Sequence, residues 1–198
     1  DKAESAVNKK AKIGADIDLN EYQAPDIDAH EHIDSLDDLT KNDKETLTSV
    51  GIMTDEEERS ASFLQMDQSE VFVNNMYPGI EIMSTAQALE KYDWLADYMW
   101  NAVQVDADKY TATTELGSRS GYFIRSLPGA KVELPVQACM YIGEDTVRQT
   151  AHNIIIAEEG SEMNIITGCS TAKHVSNAAH IGVSEFYLKK DSKVSFTM

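Results

Sequence analysis

Cys169 stands in the stretch NIITGCSTAKH, residues 164–174, directly after Gly168 and a short apolar run, and it is one of two cysteines in a chain of 198 residues. His152, His174 and His180 lie on either side of it in sequence. A thiolate near imidazoles is a stronger nucleophile and a softer metal ligand than an isolated thiol, so nucleophilic or metal-binding chemistry is open to this segment. For any one of the three histidines, a hydrogen-bonded structural role is the more ordinary reading. The other cysteine, Cys139, reads as a small packed residue. His30 and His32 form an HEH triplet, but nothing nearby has zinc-ligand spacing, and the surrounding sequence reads as a solvated acidic linker.

Other chemistries are excluded by what the chain lacks. It has no GxxxxGK[ST] loop and no dinucleotide fingerprint, so nucleotide hydrolysis and hydride transfer would have to come from a partner. GSRSG, residues 117–121, is not a GxSxG elbow and precedes a strand pattern, which discounts hydrolase chemistry. Two cysteines cannot supply the four thiolates that an iron–sulfur cluster usually takes, so a cluster here would need other ligands or a second subunit. The 34 acidic residues against 17 basic ones give a net charge of −17, which repels nucleic acid and anionic membranes alike. No apolar run long enough to span a bilayer occurs, and the N-terminal DKAESAVNKKAKIG lacks the apolar centre of a signal peptide, so a cytoplasmic protein is expected. With no CxxC pair, both cysteines are expected as reduced thiols.

The elements that must position these groups are legible from periodicity. Short helices are expected in DKAESAVNKKA and SLDDLTKNDKETLTSV, the second stopping at Gly51, with a mobile linker or a segment draped over a partner between them. RSASFLQMDQSEVFVNNMYPGIEIM reads as extended structure with a Pro78-Gly79 turn. STAQALEKYDWLADYMWNAV reads as one helix, opened by a Ser84/Gln87 capping box and packed through Leu89, Tyr92, Leu95, Ala96 and Met99. In VELPVQACMYI, strict alternation predicts a half-buried strand with Cys139 on its polar face.

Three segments, YFIRSLPGAKVEL (122–134), NIIIAEEGSEMNI (153–165) and SEFYLKKDSKVSF (184–196), align without gaps at a spacing of 31. Each is a strand, a turn centred on Gly129, Gly160 or Asp191, and a second strand. Glycine and aspartate tolerate the left-handed backbone such turns need. A fixed period in this range points to a solenoid, with an evenly spaced β-sandwich as the alternative. In this alignment Cys169 corresponds to Ala138 and points inward, unless Gly168 introduces a bulge.

Five strings in order, RSASFLQMDQSEVFV, ALEKYDWLADYMWNAV, GYFIRSLPGAKVELPVQACM, HNIIIAEEGSEMNIITGCS and HIGVSEFYLKKDSKVSFTM, resemble the SufB/SufD family, and its archaeal SufB-like members in particular. The resemblance implies a mainly β protein with an N-terminal α-helical region and a right-handed parallel β-helix (β-solenoid) core, truncated at the C-terminus. On that basis residues 1–110 would be the acidic and helical region and 111–198 the first coils of the core.

The function implied is that of a scaffold subunit in iron–sulfur cluster assembly, not an enzyme by itself. It would work in the cytoplasm with a SufC-type ATPase, a second SufB/SufD-type subunit and sulfur-donor proteins. The cluster would be transient in the full assembly, and none is expected on this chain. The GC[ST] match implies that Cys169 accepts and relays persulfide sulfur, and the match of AAHIGV makes His180 a candidate for supporting it. Family members continue beyond the equivalent of Met198, and the CxxC motif of some bacterial members is absent. Two rivals stand beside this reading: a SufD-like structural subunit without sulfur relay, and a small metal-dependent β-fold enzyme using His152, His174 or His180.

Overall fold

The computed structural model describes residues 1–117 and 119–198; Ser118, in the GSRSG stretch, lies outside the described residues. In chain order the elements are α1 (Lys2–Ala6), α2 (Lys41–Ser49), β1 (Ala61–Met66), β2 (Ser69–Asn75), β3 (Ile80–Ser84), α3 (Thr85–Lys91), α4 (Lys109–Leu116), β4 (Tyr122–Ser126), β5 (Val136–Ile142), β6 (Arg148–Ala157), β7 (Glu162–Thr171), β8 (Ala179–Leu188) and β9 (Lys193–Thr197). Local signals account for several boundaries. Thr40 Oγ1 caps α2 by accepting from the Asp43 amide, and the chain leaves that helix through Gly51 at φ 83°. The asparagine-poor but turn-competent centres at Gly129, Gly160 and Asp191 all take the left-handed conformation, with φ of 70°, 69° and 56°.

The long helix expected over residues 84–103 is not formed. Ser84 Oγ does accept from the Gln87 amide, but the Gln87 side chain donates to Glu70 Oε1 instead of returning to Ser84. The helix ends at Lys91, where Tyr92 turns to φ −129° and ψ 98°, and a 3₁₀ segment, Asp93–Tyr98, follows. The break lets Tyr92 and Trp94 pack on Phe123, with ring centroids 6.0 and 6.4 Å away. Ala88 and Leu95 complete this cluster with Ile154 and Ile156, and Leu89, Tyr92 and Met99 pack against it, so the apolar stripe is core packing except at Ala96, which is exposed.

The strands form two sheets, ordered β2-β1-β5-β7-β9 and β3-β4-β6-β8. From β4 onward, successive strands alternate between them. The mainly β, right-handed parallel β-helix expected from the repeat and the resemblance is overturned: the architecture is mixed α/β, and both sheets mix parallel and antiparallel pairs. The physical reason is at the start of each sheet, where β2 pairs antiparallel with β1 and β3 pairs antiparallel with β4. Antiparallel neighbours need only short turns, which Asp67-Gln68 provides between β1 and β2.

The 31-residue spacing does set the ladder register, with Phe123 opposite Ile154, Ile154 opposite Glu185 and Met163 opposite Val194. Ile124 and Ile155 face Phe63, Val136 and Ile165 in a single buried cluster between the sheets. Each such side chain contributes about 1.5–3 kcal/mol by leaving water. β5 is buried along its whole length, not half-buried, because Leu36, Leu47 and Ile52 of the N-terminal segment cover Cys139 and Tyr141 on its outer face. That segment is tied down: Gln23 exchanges backbone hydrogen bonds with Thr146 and Arg148 at 2.9 and 2.8 Å, and the Ile33 amide donates to the Val71 carbonyl at 2.9 Å.

Gly121 is the tightest approach between elements. Its φ is 111°, and a Cβ there would lie 2.5 Å from the His152 carbonyl oxygen and 2.7 Å from the His152 nitrogen. Gly121→Ala is expected to lower stability in urea unfolding by about 2–3 kcal/mol, because neither backbone can move without breaking the β4–β6 ladder.

Candidate functional site

Cys169 lies in β7 with its side chain directed between the sheets. Its ladder partner is Met140, not Ala138. Partners are 31 positions apart at Lys131 and Glu162 but 29 apart at Val136 and Ile165, so two extra residues are accommodated before β5, next to Pro135. A two-residue displacement leaves a strand residue on the same face, and Cys169 stays inward as expected. Thr167, Gly168 and Cys169 pair in unbroken register with Ala138, Cys139 and Met140, so Gly168 introduces no bulge. Cys139 instead faces outward, into the cluster under the N-terminal segment, and not onto a polar face.

Inside the sheets Cys169 lines a cavity of about 290 Å³ together with Tyr122, Met140, Asn153, His180 and Ser184. These polar residues share ladder rungs: Asn153 pairs with Ser184 and Gln149 with His180. Asn153 Oδ1 accepts from the Tyr122 amide at 3.1 Å, and Asn153 Nδ2 donates to Ser184 Oγ at 3.1 Å. His180 Nδ1 is 2.8 Å from Gln149 Oε1. Gln149 Nε2 in turn donates to the carbonyls of Asp67 and Tyr141 at 2.7 and 3.0 Å. Gly182 leaves the floor beside His180 open, since a Cβ there would meet His180 Nε2 at 2.9 Å.

Desolvation governs the electrostatics of this cavity. It raises the Cys169 thiol above its ordinary pKa and pushes the Tyr122 phenol up further. Although the His180 ring keeps contact with solvent, the cavity wall disfavours its charged form and lowers its pKa. Burial also raises Cys139 strongly. Each shift favours the neutral form of its group.

The remaining histidines are not part of this site. His152 faces the opposite side of β6, buried, with Nε2 2.7 Å from Glu185 Oε1 and its ring stacked on Trp100 at 4.0 Å. Glu185 also accepts from the amides of Trp100, Ala102 and Val103 at 2.8, 2.6 and 3.1 Å. Burial opposes its charge, but the hydrogen bonds from His152, Ala102, Tyr187 and Val103 outweigh that and hold its pKa at about 2. His174 is exposed after β7. His30 Nε2 pairs with the buried Asp67 at 2.6 Å, while His32 is exposed. His152, His174 and His180 therefore do not converge. Among the described residues, no group of three or more His, Cys, Asp or Glu side chains is arranged to hold a metal ion. Tyr122, Asn153 and Ser184 were not anticipated as cavity residues, nor Gln149 as the partner of His180; carrying the 31-residue spacing through the polar positions 122, 153 and 184, and 149 and 180, marks them.

Fold and cavity define a two-sheet α/β protein whose candidate reactive group is one inward-facing thiol. A protein of Methanothermobacter thermautotrophicus (strain Winter), named an iron-sulfur cluster assembly SufBD family protein, is 53% identical over 201 residues, which cover 100% of this chain and 49% of that protein. A protein of the same family name from Archaeoglobus fulgidus is 51% identical over 156 residues, 79% of this chain and 42% of its own length. One from Pyrococcus horikoshii is 28% identical over 187 residues, 91% of this chain and 42% of its own length. The chain belongs to the SufBD family. It spans about half the length of the curated relatives it matches. No protein-family profile matches it. No helix among the described residues is long and apolar enough to cross a membrane.

Two outcomes are expected. Under native conditions iodoacetamide modifies Cys169 and spares Cys139, whose label is seen only after denaturation; mass spectrometry locates the adduct. Glu185→Gln should cost on the order of 2–3 kcal/mol at neutral pH. Because the folded-state pKa of Glu185 is depressed to about 2, its contribution is complete above the unfolded value of about 4.3 and lost as pH falls through the folded value. The variant's stability, followed by acid titration of circular dichroism, should therefore fall less steeply than wild type across that window.

Proposed function

We propose that this chain serves iron–sulfur cluster assembly as the sulfur-accepting part of a scaffold. Cys169, exposed to solvent and so open to a persulfide donor, takes sulfane sulfur and holds it in the cavity between the sheets. The observation that carries this reading is an inward-facing thiol in a cavity of about 290 Å³ with both apolar and polar walls, within a chain of the SufBD family. The curated relatives are named for iron-sulfur cluster assembly, which supports the same role here. The chain works in the cytoplasm and is not an enzyme alone. A SufC-type ATPase supplies nucleotide hydrolysis, a second SufB/SufD-type subunit completes the assembly, and the cluster is its product, not a resident cofactor.

One observation favours a SufD-like structural subunit instead: burial raises the Cys169 pKa, which lowers its thiolate fraction. The two readings separate on incubation with a cysteine desulfurase and its sulfur-transfer partner. Added sulfur is expected on Cys169 in wild type and in Cys139→Ser, and on neither cysteine in Cys169→Ser. Folded wild-type protein that takes up no sulfur would leave the structural subunit.

A further inference from the structure

The hydrogen bonds behind His180 fix more than its orientation. Gln149 is fully buried, and one end of its amide faces two backbone carbonyls, those of Asp67 and Tyr141. Carbonyls only accept, so that end is the NH₂ and the other end is the oxygen. The oxygen lies 2.8 Å from His180 Nδ1 and also only accepts, so Nδ1 carries the proton. A neutral imidazole with a proton on Nδ1 has its lone pair on Nε2. Nε2 is the atom above Gly182, where the missing Cβ leaves it facing the cavity. The backbone of β5 and of the β1–β2 turn thus sets, through one glutamine, the proton-accepting atom of the cavity.

We propose that His180 Nε2 receives the proton of a hydropersulfide formed on Cys169, and that Gln149 is the positioning residue that keeps this nitrogen unprotonated beforehand. This rests on the sulfur-accepting role proposed above. In loading, the Cys169 thiol and a donor hydropersulfide R–S–S–H become Cys169–S–S–H and R–SH. The donor's S–S bond breaks, a new one forms on Cys169, and no electrons are gained or lost overall. The terminal sulfur then stands about 2 Å further into the cavity than the original thiol sulfur. Its S–H is a stronger acid than a thiol S–H, because the neighbouring sulfur stabilises the anion. Proton transfer gives Cys169–S–S⁻ and a His180 imidazolium, with only the S–H bond broken and the N–H bond formed.

Among the described residues lining the cavity, the titratable side chains are Tyr122, Cys169 and His180. Burial holds Tyr122 protonated and the unloaded Cys169 largely so. Desolvation by the cavity wall lowers the His180 pKa and so favours its neutral form before loading. The persulfide anion and the imidazolium then attract each other as opposite charges.

The test uses ¹⁵N-histidine-labelled protein, loaded with cysteine hydropersulfide and checked by mass spectrometry. Before loading, the His180 resonances should show a protonated Nδ1 and a bare Nε2; after loading, both nitrogens should be protonated at neutral pH. Gln149→Met, which removes the accepting oxygen, should mix the two tautomers. In His180→Gln the pH midpoint for alkylation of the Cys169 persulfide should rise by about one unit, roughly a tenfold loss of anion below both midpoints. A bare Nδ1 in the unloaded protein, or an unchanged midpoint in a His180→Gln variant that loads normally, would overturn the role of His180 and leave sulfur acceptance standing. Wild-type protein that takes up no sulfur on Cys169 would overturn both.

Discussion

A parallel ladder fixes which side chains share a rung, and two such ladders face each other here. Residues 31 positions apart meet on adjacent strands, so an apolar position in one unit is stacked on apolar positions in the next. Ile124, Ile155 and Phe186 form one such stack, and it presses on Val136, Ile165 and Phe196 from the other sheet. The stack requires the chain to change sheets within a few residues, which the left-handed turns at Gly129, Gly160 and Asp191 accomplish. If any of these turns were lengthened by one residue, every side chain beyond it would change faces.

The same geometry explains why polar groups can lie inside. Gln149, Asn153 and Tyr122 are buried, and a buried polar group without a partner costs several times what a paired one contributes. Here the rungs supply the partners. Gln149 is satisfied by two carbonyls and His180, and Asn153 by the Tyr122 amide and Ser184. The cavity therefore sets a few fixed donors and acceptors among apolar side chains such as Met140 and Phe196, and one thiol projects into it. That is a different environment from the one around Cys139, which is enclosed by leucine and isoleucine side chains on the other face of the neighbouring strand.

The outer faces are closed by segments far away in sequence. Within the N-terminal forty residues α1 packs on α4, and the stretch beyond it is held by Gln23 at the start of β6, Ile33 on β2 and the His30–Asp67 pair. The segment after Tyr98 is fastened to β8 by the carboxylate of Glu185, which gathers three backbone amides and His152. An acidic sequence thus uses some of its carboxylates internally, as fixed acceptors, while most remain on the surface. Membership of the SufBD family rests on identity along this whole arrangement, and the chain matches about half of each relative.

Sequence alone determined the local geometry: the strands, the cap at Ser84, the turn centres at Gly129, Gly160 and Asp191, and the inward direction of Cys169. Each depends on a period or a residue preference that acts over a few positions. The register partner of Cys169 was legible only to within two residues, because the insertion beside Pro135 changes the spacing without changing the face. The role of Gln149 was hidden, since its importance comes from two carbonyls on β5 and in the β1–β2 turn. Tertiary structure decided the rest. It broke the helix at Tyr92 so that aromatic rings could reach Phe123, covered the outer face of β5 with the N-terminal segment, and added the antiparallel strands β2 and β3 that make both sheets mixed. These outcomes follow from contacts between residues dozens of positions apart, and no local pattern records which of two equally apolar surfaces a distant segment will cover.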